Sequence, residues 1–219
     1  YLTNSSATVN FVADSCHFKQ VDANSTHGGA MYLDGGAAAN YTITKNIFED
    51  CDANTRGSAI YMNTGNSTLT NCLFFENNAV GLGADDGTVY INGAGNHTIN
   101  ACTFADNASG DDAGITSNTS GNVDITNSVF YNNNAHNVER RAGTMTLTYS
   151  LYGDAADLNG VTPGAGCVVN STDQFVDRAN DDYHLLTTSQ AVDVANGATS
   201  PVDDLDGVTR FIGTADDMG

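Results

Sequence analysis

The places in this 219-residue chain where side chains could act together are two acidic turns. Gly81-Leu82-Gly83-Ala84-Asp85-Asp86 and Ser109-Gly110-Asp111-Asp112 are spelled alike, and if they hold equivalent places in a repeating body their four carboxylates converge. Several hard oxygen ligands of that kind suit Ca²⁺. The competing reading is ordinary turn aspartates that bond their own backbone. Asp204-Leu205-Asp206-Gly207 opens like a calcium loop but lacks the later acidic ligand, and a pairing of Asp204 or Asp206 with Arg210 is the plainer explanation. Asp85, Asp86, Asp111, Asp112, Asp204 and Asp206 are therefore the candidate metal ligands, with Ca²⁺ the one cofactor implied and none required.

Catalytic constellations are harder to find. Lyases that cut uronates need a cationic base beside bound Ca²⁺, yet the chain has only Lys19, Lys45, Arg56, Arg140, Arg141, Arg178 and Arg210, of which Arg140-Arg141 alone form a cluster. Glycoside hydrolases need two carboxylates across a cleft; Asp is plentiful here but reads mostly as turn residues, and there is no Trp platform for a sugar. His17, His27, His97, His136 and His184 are scattered. The expectation is a chain without enzymatic activity. The five Cys show no Cys-x-x-Cys and no metal-ligand spacing, so they read as stacked free thiols, with a Cys72–Cys102 bridge geometrically open.

What must position all of these is a repeat. Ser15-Cys16-His17-Phe18, Lys45-Asn46-Ile47-Phe48, Asn71-Cys72-Leu73-Phe74, Ala101-Cys102-Thr103-Phe104, Asn127-Ser128-Val129-Phe130 and Tyr149-Ser150-Leu151-Tyr152 place their aromatic residues 30, 26, 30, 26 and 22 positions apart. Such spacing marks a solenoid whose units bury their apolar faces only against neighbours. Upstream of each lies a short alternating run, such as Thr42-Ile43-Thr44 and Thr68-Leu69-Thr70; downstream come an Ala and a run such as Gly29-Ala30-Met31-Tyr32. The odd step from Leu69 to Cys72 demands a tight turn, which Asn71 and Asn127 can make in the left-handed conformation. Cys51 and Cys167 fall outside the small-residue column. Three short strands per unit predict an all-β, right-handed parallel β-helix of about six coils over residues 1–152. Residues 153–170 lose the columns, and 153–219 are assigned to a last coil or loop and a C-terminal capping or docking segment.

The spelling of small residue, spacer and Phe, followed by Gly28-Gly29-Ala30-Met31-Tyr32, resembles the right-handed parallel β-helix repeats of secreted bacterial surface proteins, the pectate-lyase-like and polymorphic outer-membrane-protein types among them. Residues 175–219 resemble the segment that closes many anchored members. The resemblance implies the fold and an extracellular, cell-surface location. It leaves the activity open, because the architecture serves adhesins, lyases and stalks alike.

Composition adds exclusions. With 26 acidic and 7 basic residues the net charge is −19, which repels nucleic acid and anionic membranes. No stretch is apolar enough to span a membrane, and the chain reads as a mature or trimmed product. Sequons occur at Asn4, Asn24, Asn40, Asn66, Asn96, Asn107, Asn118 and Asn170, many of them in turns expected to be exposed, and are glycosylation sites if the source has the machinery. The function expected is an extracellular structural or adhesive surface module, self-associating end to end into a filament or meeting surface glycans; the alternative is a polysaccharide-binding or polysaccharide-degrading protein. In the filament reading, residues 170–219 cover or enter the first coil of the next copy.

Overall fold

A computed structural model describes residues 2–3, 9–24, 27–79, 87–108, 112–210 and 213–219, with the backbone alone at 2, 3, 112 and 113. The chain is an all-β parallel solenoid in which each coil gives one strand to each of three sheets. The first sheet stacks Leu2–Thr3, Met31–Asp34, Ile60–Met62, Val89–Ile91, Asp112–Ser117, His136–Arg140 and Leu158–Asn159. The middle sheet stacks Asn10–Asp14, Asn40–Thr44, Asn66–Thr70, Asn96–Asn100, Asn122–Thr126 and Thr144–Thr148, and the third runs from His17–Lys19 to Val168–Val169. Register is kept residue for residue in the middle and third sheets, as in Ile43 beside Leu69 and Phe74 beside Phe104, and shifts in the first sheet between Asp112 and Ile115.

Two left-handed turns per coil make this possible. The turn expected at Asn71 and Asn127 is present, with φ of 53° and 52°, and the same conformation recurs at Ser15, Lys45, Ala101 and Tyr149. It turns the chain between the middle and third sheets so that Leu69 and Cys72 both face inward, where each is buried. A second left-handed column, Gln20, Asp50, Glu76, Asp106 and Asn132, closes the other end of each third-sheet strand. Backbone of this kind costs a non-glycine residue roughly 1 kcal/mol. The fixed turn also aims N–H groups at the next coil: Asn71 donates to Asn100 O at 3.2 Å and Gln20 to Glu49 O at 2.9 Å.

Interior columns fill the tube. Phe18, Phe48, Phe74, Phe104 and Phe130 stack with centroids 5.0, 4.7, 4.5 and 5.1 Å apart and rings within 10° of parallel. Polar interior residues satisfy backbone between coils. Asn107 donates from Nδ2 to Phe74 O at 3.0 Å and to Asn133 Oδ1 at 2.8 Å, while its own Oδ1 accepts from Asn77.

Two expectations need correction. Residues 153–170 continue the solenoid, because Leu158–Asn159 and Val168–Val169 pair in register with the coil before and Pro163 bridges to Leu147. Cys167 extends the small-residue column beside Ser150, with Val168 N donating to Ser150 O at 2.9 Å; a 17-residue step, shorter than the others, hid it. Cys51 heads the column that Asn77, Asn107 and Asn133 continue, three positions after the aromatic residue.

From residue 170 the chain leaves the coils and runs back along the outer face of the third sheet as a strap. Phe175, Tyr183, Ala191 and Met218 bury against Phe75, Ala105, Val129 and Leu151. This strap lies on the flank of its own solenoid.

One interior group titrates. His97 is 2 % exposed, its Nδ1 shares a 2.9 Å hydrogen bond with Ser67 Oγ, and its Nε2 has no hydrogen-bond partner. Burial lowers its pKa to about 4, an effect the nearby Gly93 backbone offsets only in part. Since the unfolded imidazole takes up a proton near pH 6.5 and the folded one does not until about pH 4, stability falls as pH drops through that window, by roughly 3 kcal/mol. Urea unfolding at about pH 7 and about pH 4 should show wild type losing that much more than His97→Val, which copies Val123 in the same column; equal losses would remove the assignment.

Candidate functional site

A concavity of about 500 Å³ lies where the strap meets the second column of left-handed turns. Glu76 and Asp106, on neighbouring coils, line one wall; Asp173, Phe175, Asp177 and Arg178 line the other. In-register strands put consecutive turn carboxylates ~5 Å apart. Arg178 binds Asp106 through Nη1 and Asp173 through Nε at 2.9 Å, and its guanidinium lies 4.7 Å from the centre of the Tyr131 ring. Tyr183 OH donates to Asp106 Oδ2 at 3.0 Å, and Asn132 donates to Asp106 Oδ1.

Burial pulls the Arg178 pKa down, but the hydrogen bonds and charges of Asp106 and Asp173 outweigh it and raise the value above the ordinary one. Burial, then the Asp106 carboxylate, holds the Tyr183 phenol well above its usual range. Glu76 is exposed, yet partial burial and the charges of Asp181, Asp50, Asp106 and Glu49 raise its pKa. Two carboxyl groups on neighbouring coils, one of them with a raised pKa, are the kind of pair from which glycosidases are built. Here, however, Asp106 accepts three hydrogen bonds from Arg178, Asn132 and Tyr183. Those bonds tie it to the strap and leave it poorly placed as a nucleophile.

The same use of charge recurs along the strap. Lys45 Nζ meets Asp203 Oδ2 at 2.6 Å, and His184 bridges Asp182 at 2.6 Å and Asp206 at 2.9 Å. Arg210 donates to the carbonyls of Asp203, Asp217 and Gly219 and to Asn71 Oδ1. The expected pairing of Arg210 with Asp204 or Asp206 is thus corrected: Asp204 accepts the Val208 N–H at 2.8 Å, and Asp206 holds His184. Among the described residues no group of three His, Cys, Asp or Glu is arranged to hold a metal ion. Asp85, Asp86 and Asp111 lie outside the described residues; Asp112 opens a first-sheet strand beside His136, and its side chain is likewise outside.

The other candidates disperse over the body. All five Cys are free; Cys51 is pushed up to about 12 by burial, and burial with Cys102 alongside raises Cys72 well above its ordinary value. Thiols held protonated in this way are poor nucleophiles. Asn24, Asn40, Asn96 and Asn118 are exposed, and Asn66 and Asn170 half-buried. Asn4 is outside the described residues. Asn107 corrects the expectation that the sequon turns are exposed, being 1 % exposed with its amide in the interior ladder.

The first and middle sheets carry side-chain arrays that sequence reasoning passed over. On the first sheet Tyr32, Tyr61 and Tyr90 stack 5.2 and 5.6 Å apart, with His27 4.5 Å from Tyr61 and Arg56 over Tyr90 at 5.2 Å. Tyr61 and Tyr90 are nonetheless buried. On the middle sheet three outward columns run the length of the body: Asn10, Asn40, Asn66, Asn96, Asn122 and Thr144; then Val12, Thr42, Thr68, Thr98, Asp124 and Thr146; then Asp14, Thr44, Thr70, Asn100, Thr126 and Thr148. The signal was present in the Thr-x-Thr runs, which served only to locate strands.

Parallel coils, in-register columns and a flank-bound strap define a parallel β-solenoid with ion pairs holding the strap to its flank. The chain belongs to the right-handed β-helix family, whose model, described as a right handed beta helix region, matches residues 1–176. No curated protein and no solved structure matches the chain.

Removing the central anchor should free the strap. Asp106→Ala leaves Arg178 and Tyr183 without their shared acceptor, worth roughly 2 kcal/mol, and native-state proteolysis should then cut within residues 170–219 about thirtyfold faster while the strand signal in circular dichroism stays unchanged. Cleavage at the wild-type rate would show that Asp106 does not hold the strap.

Proposed function

We propose that the chain is an extracellular structural or adhesive surface module acting as a single rigid rod. The observation that carries this reading is the use of Lys45, Arg178 and His184 for fastening: Asp106, Asp173, Asp203 and Asp206 hold them across the seam between strap and coils or within the strap. A rod of this kind presents long flat flanks and few reactive groups. Surface glycans are the partners such flanks would meet, and Ca²⁺ at Asp85, Asp86, Asp111 and Asp112 remains a proposed ligand.

Filament growth is disfavoured at the last coil. Gly164 N donates to Leu147 O at 2.8 Å, so the alternation of a strand turns the backbone of residue 163 outward, where a further coil would need its N–H. That residue is proline. With two-residue edge strands beside it, this end has the features that block strand addition. A second reading, polysaccharide cleavage, is favoured only by the raised Glu76 beside Asp106.

Light scattering and a reducing-sugar assay on the purified protein test both. One mass from micromolar to millimolar concentration and no new reducing ends from neutral or acidic polysaccharides are expected. Fibres, or sugar release lost in Glu76→Gln, would overturn the reading.

A further inference from the structure

Of the three outer faces, the third is covered by the strap and two of the three stacked tyrosines of the first, Tyr61 and Tyr90, are buried. The middle face is open along its first two columns, while its third borders the strap, with Asn100 donating to Thr199 O at 2.6 Å and Thr44, Thr70, Thr126 and Thr148 half-buried; its composition departs from the rest of the molecule. Fifteen of the eighteen outward positions in its three columns are Asn or Thr; the exceptions are Val12, Asp14 and Asp124. In a chain with 26 acidic residues, this face carries two, and no Lys, Arg or Glu. A merely solvated surface of this protein would share its charge.

The array is also regular in two directions. Residues in one column repeat at ~4.8 Å from coil to coil, and alternate residues along a strand repeat at ~6.7 Å. Strict register keeps the grid aligned across coils, with Thr42, Thr68, Thr98 and Asp124 directly paired. Its groups are held before any ligand arrives. Asn40, Asn66 and Asn122 each donate from Nδ2 to the Asn Oδ1 of the coil before, at 3.3, 3.4 and 3.0 Å, and Thr146 donates to Asp124 at 2.7 Å. Thr is stiff at χ1, so ordering its hydroxyl and methyl costs little entropy. The central column is exposed at Thr42, Thr68, Thr98, Asp124 and Thr146.

We propose that this face binds ice. Its partner must be uncharged, because a cation would be drawn to the acidic remainder of the surface and an anion repelled by it. It must itself be a hydroxyl lattice, since a grid of fixed hydroxyls and amides can be satisfied many times over only by a surface with a matching repeat. A water lattice fits better than a sugar chain, because none of the eighteen positions is aromatic and the face has no ring on which a sugar could stack. The mechanism is simultaneous hydrogen bonding of many weak, pre-ordered groups, with the Thr methyls seated between lattice waters. This goes beyond the surface-module reading and does not rest on it.

The test is ice recrystallisation inhibition and thermal hysteresis with the purified chain. Wild type should shape ice crystals, whereas Thr98→Lys, which puts a long charged chain into the centre of the grid, should need at least tenfold more protein for the same inhibition. Thr188→Lys, on an exposed turn of the strap, should act as wild type does. Circular dichroism checks that each variant folds, and adsorption of fluorescently labelled wild type to a growing ice hemisphere tests the proposal without any variant. Absence of adsorption and of crystal shaping would overturn it. Binding to crystalline cellulose or chitin that Thr98→Lys abolishes, with none to ice, would overturn it in favour of a polysaccharide.

Discussion

Everything in this molecule depends on the hydrogen bonds that hold one coil to the next. A single coil has no core and no paired strand, so its left-handed turns are affordable only because most of them send an N–H to the following coil, as Ser15, Lys45, Asn71, Ala101, Tyr149, Gln20, Asp50 and Asp106 do. The positions are occupied by Ser, Lys, Asn, Ala and Tyr in one column and by Gln, Asp, Glu and Asn in the other, so residue identity is secondary to the contact. Cooperativity along the stack then compels register, because a slip by one residue would move every inward side chain out.

From that constraint the three faces diverge. The third sheet's outer positions include Leu73, Phe75, Val129 and Leu151, and the strap covers them, with ion pairs at Asp106, Asp173 and Asp203 fixing its path. The first sheet stacks aromatic rings outward and buries two of the three. The middle sheet alternates strictly, inward Ile43, Leu69, Ile99 and Ile125 with outward Thr and Asn, and stays open along its first two columns. Charge is thus used at the seam, while the middle face carries only Asp14 and Asp124. A polar buried pair, Ser67 and His97, interrupts the interior and makes that level sensitive to acid.

Much of the fold was legible because the columns are written in the sequence. Phe48, Phe74, Phe104 and Phe130 announced the period, and Asn71 and Asn127 announced the first turn. The second turn was hidden, since Glu76 and Asp106 carry no signal for the left-handed conformation, and the last coil was hidden by its shortened step to Cys167. The cleft was illegible for a different reason: Asp106 and Arg178 are 72 residues apart and meet only because the strap doubles back. Periodicity reports neighbours on adjacent coils and is silent about a segment that leaves the coils. The Thr-x-Thr runs were read for their inward residue, and their outward grid emerged only once register was fixed.

The account's central claim is a stacked solenoid with its C-terminal segment laid back along the flank, and zero-length carbodiimide cross-linking with mass mapping tests it most directly. Lys45 lies in the second coil and its ammonium meets Asp203 at 2.6 Å, so the dominant product should join those two residues within one chain. A strap that capped the last coil would leave Asp203 about five strand spacings, ~24 Å, from Lys45. Links from Lys45 to other acids with none to Asp203, or a Lys45–Asp203 link found only between chains, would contradict the account.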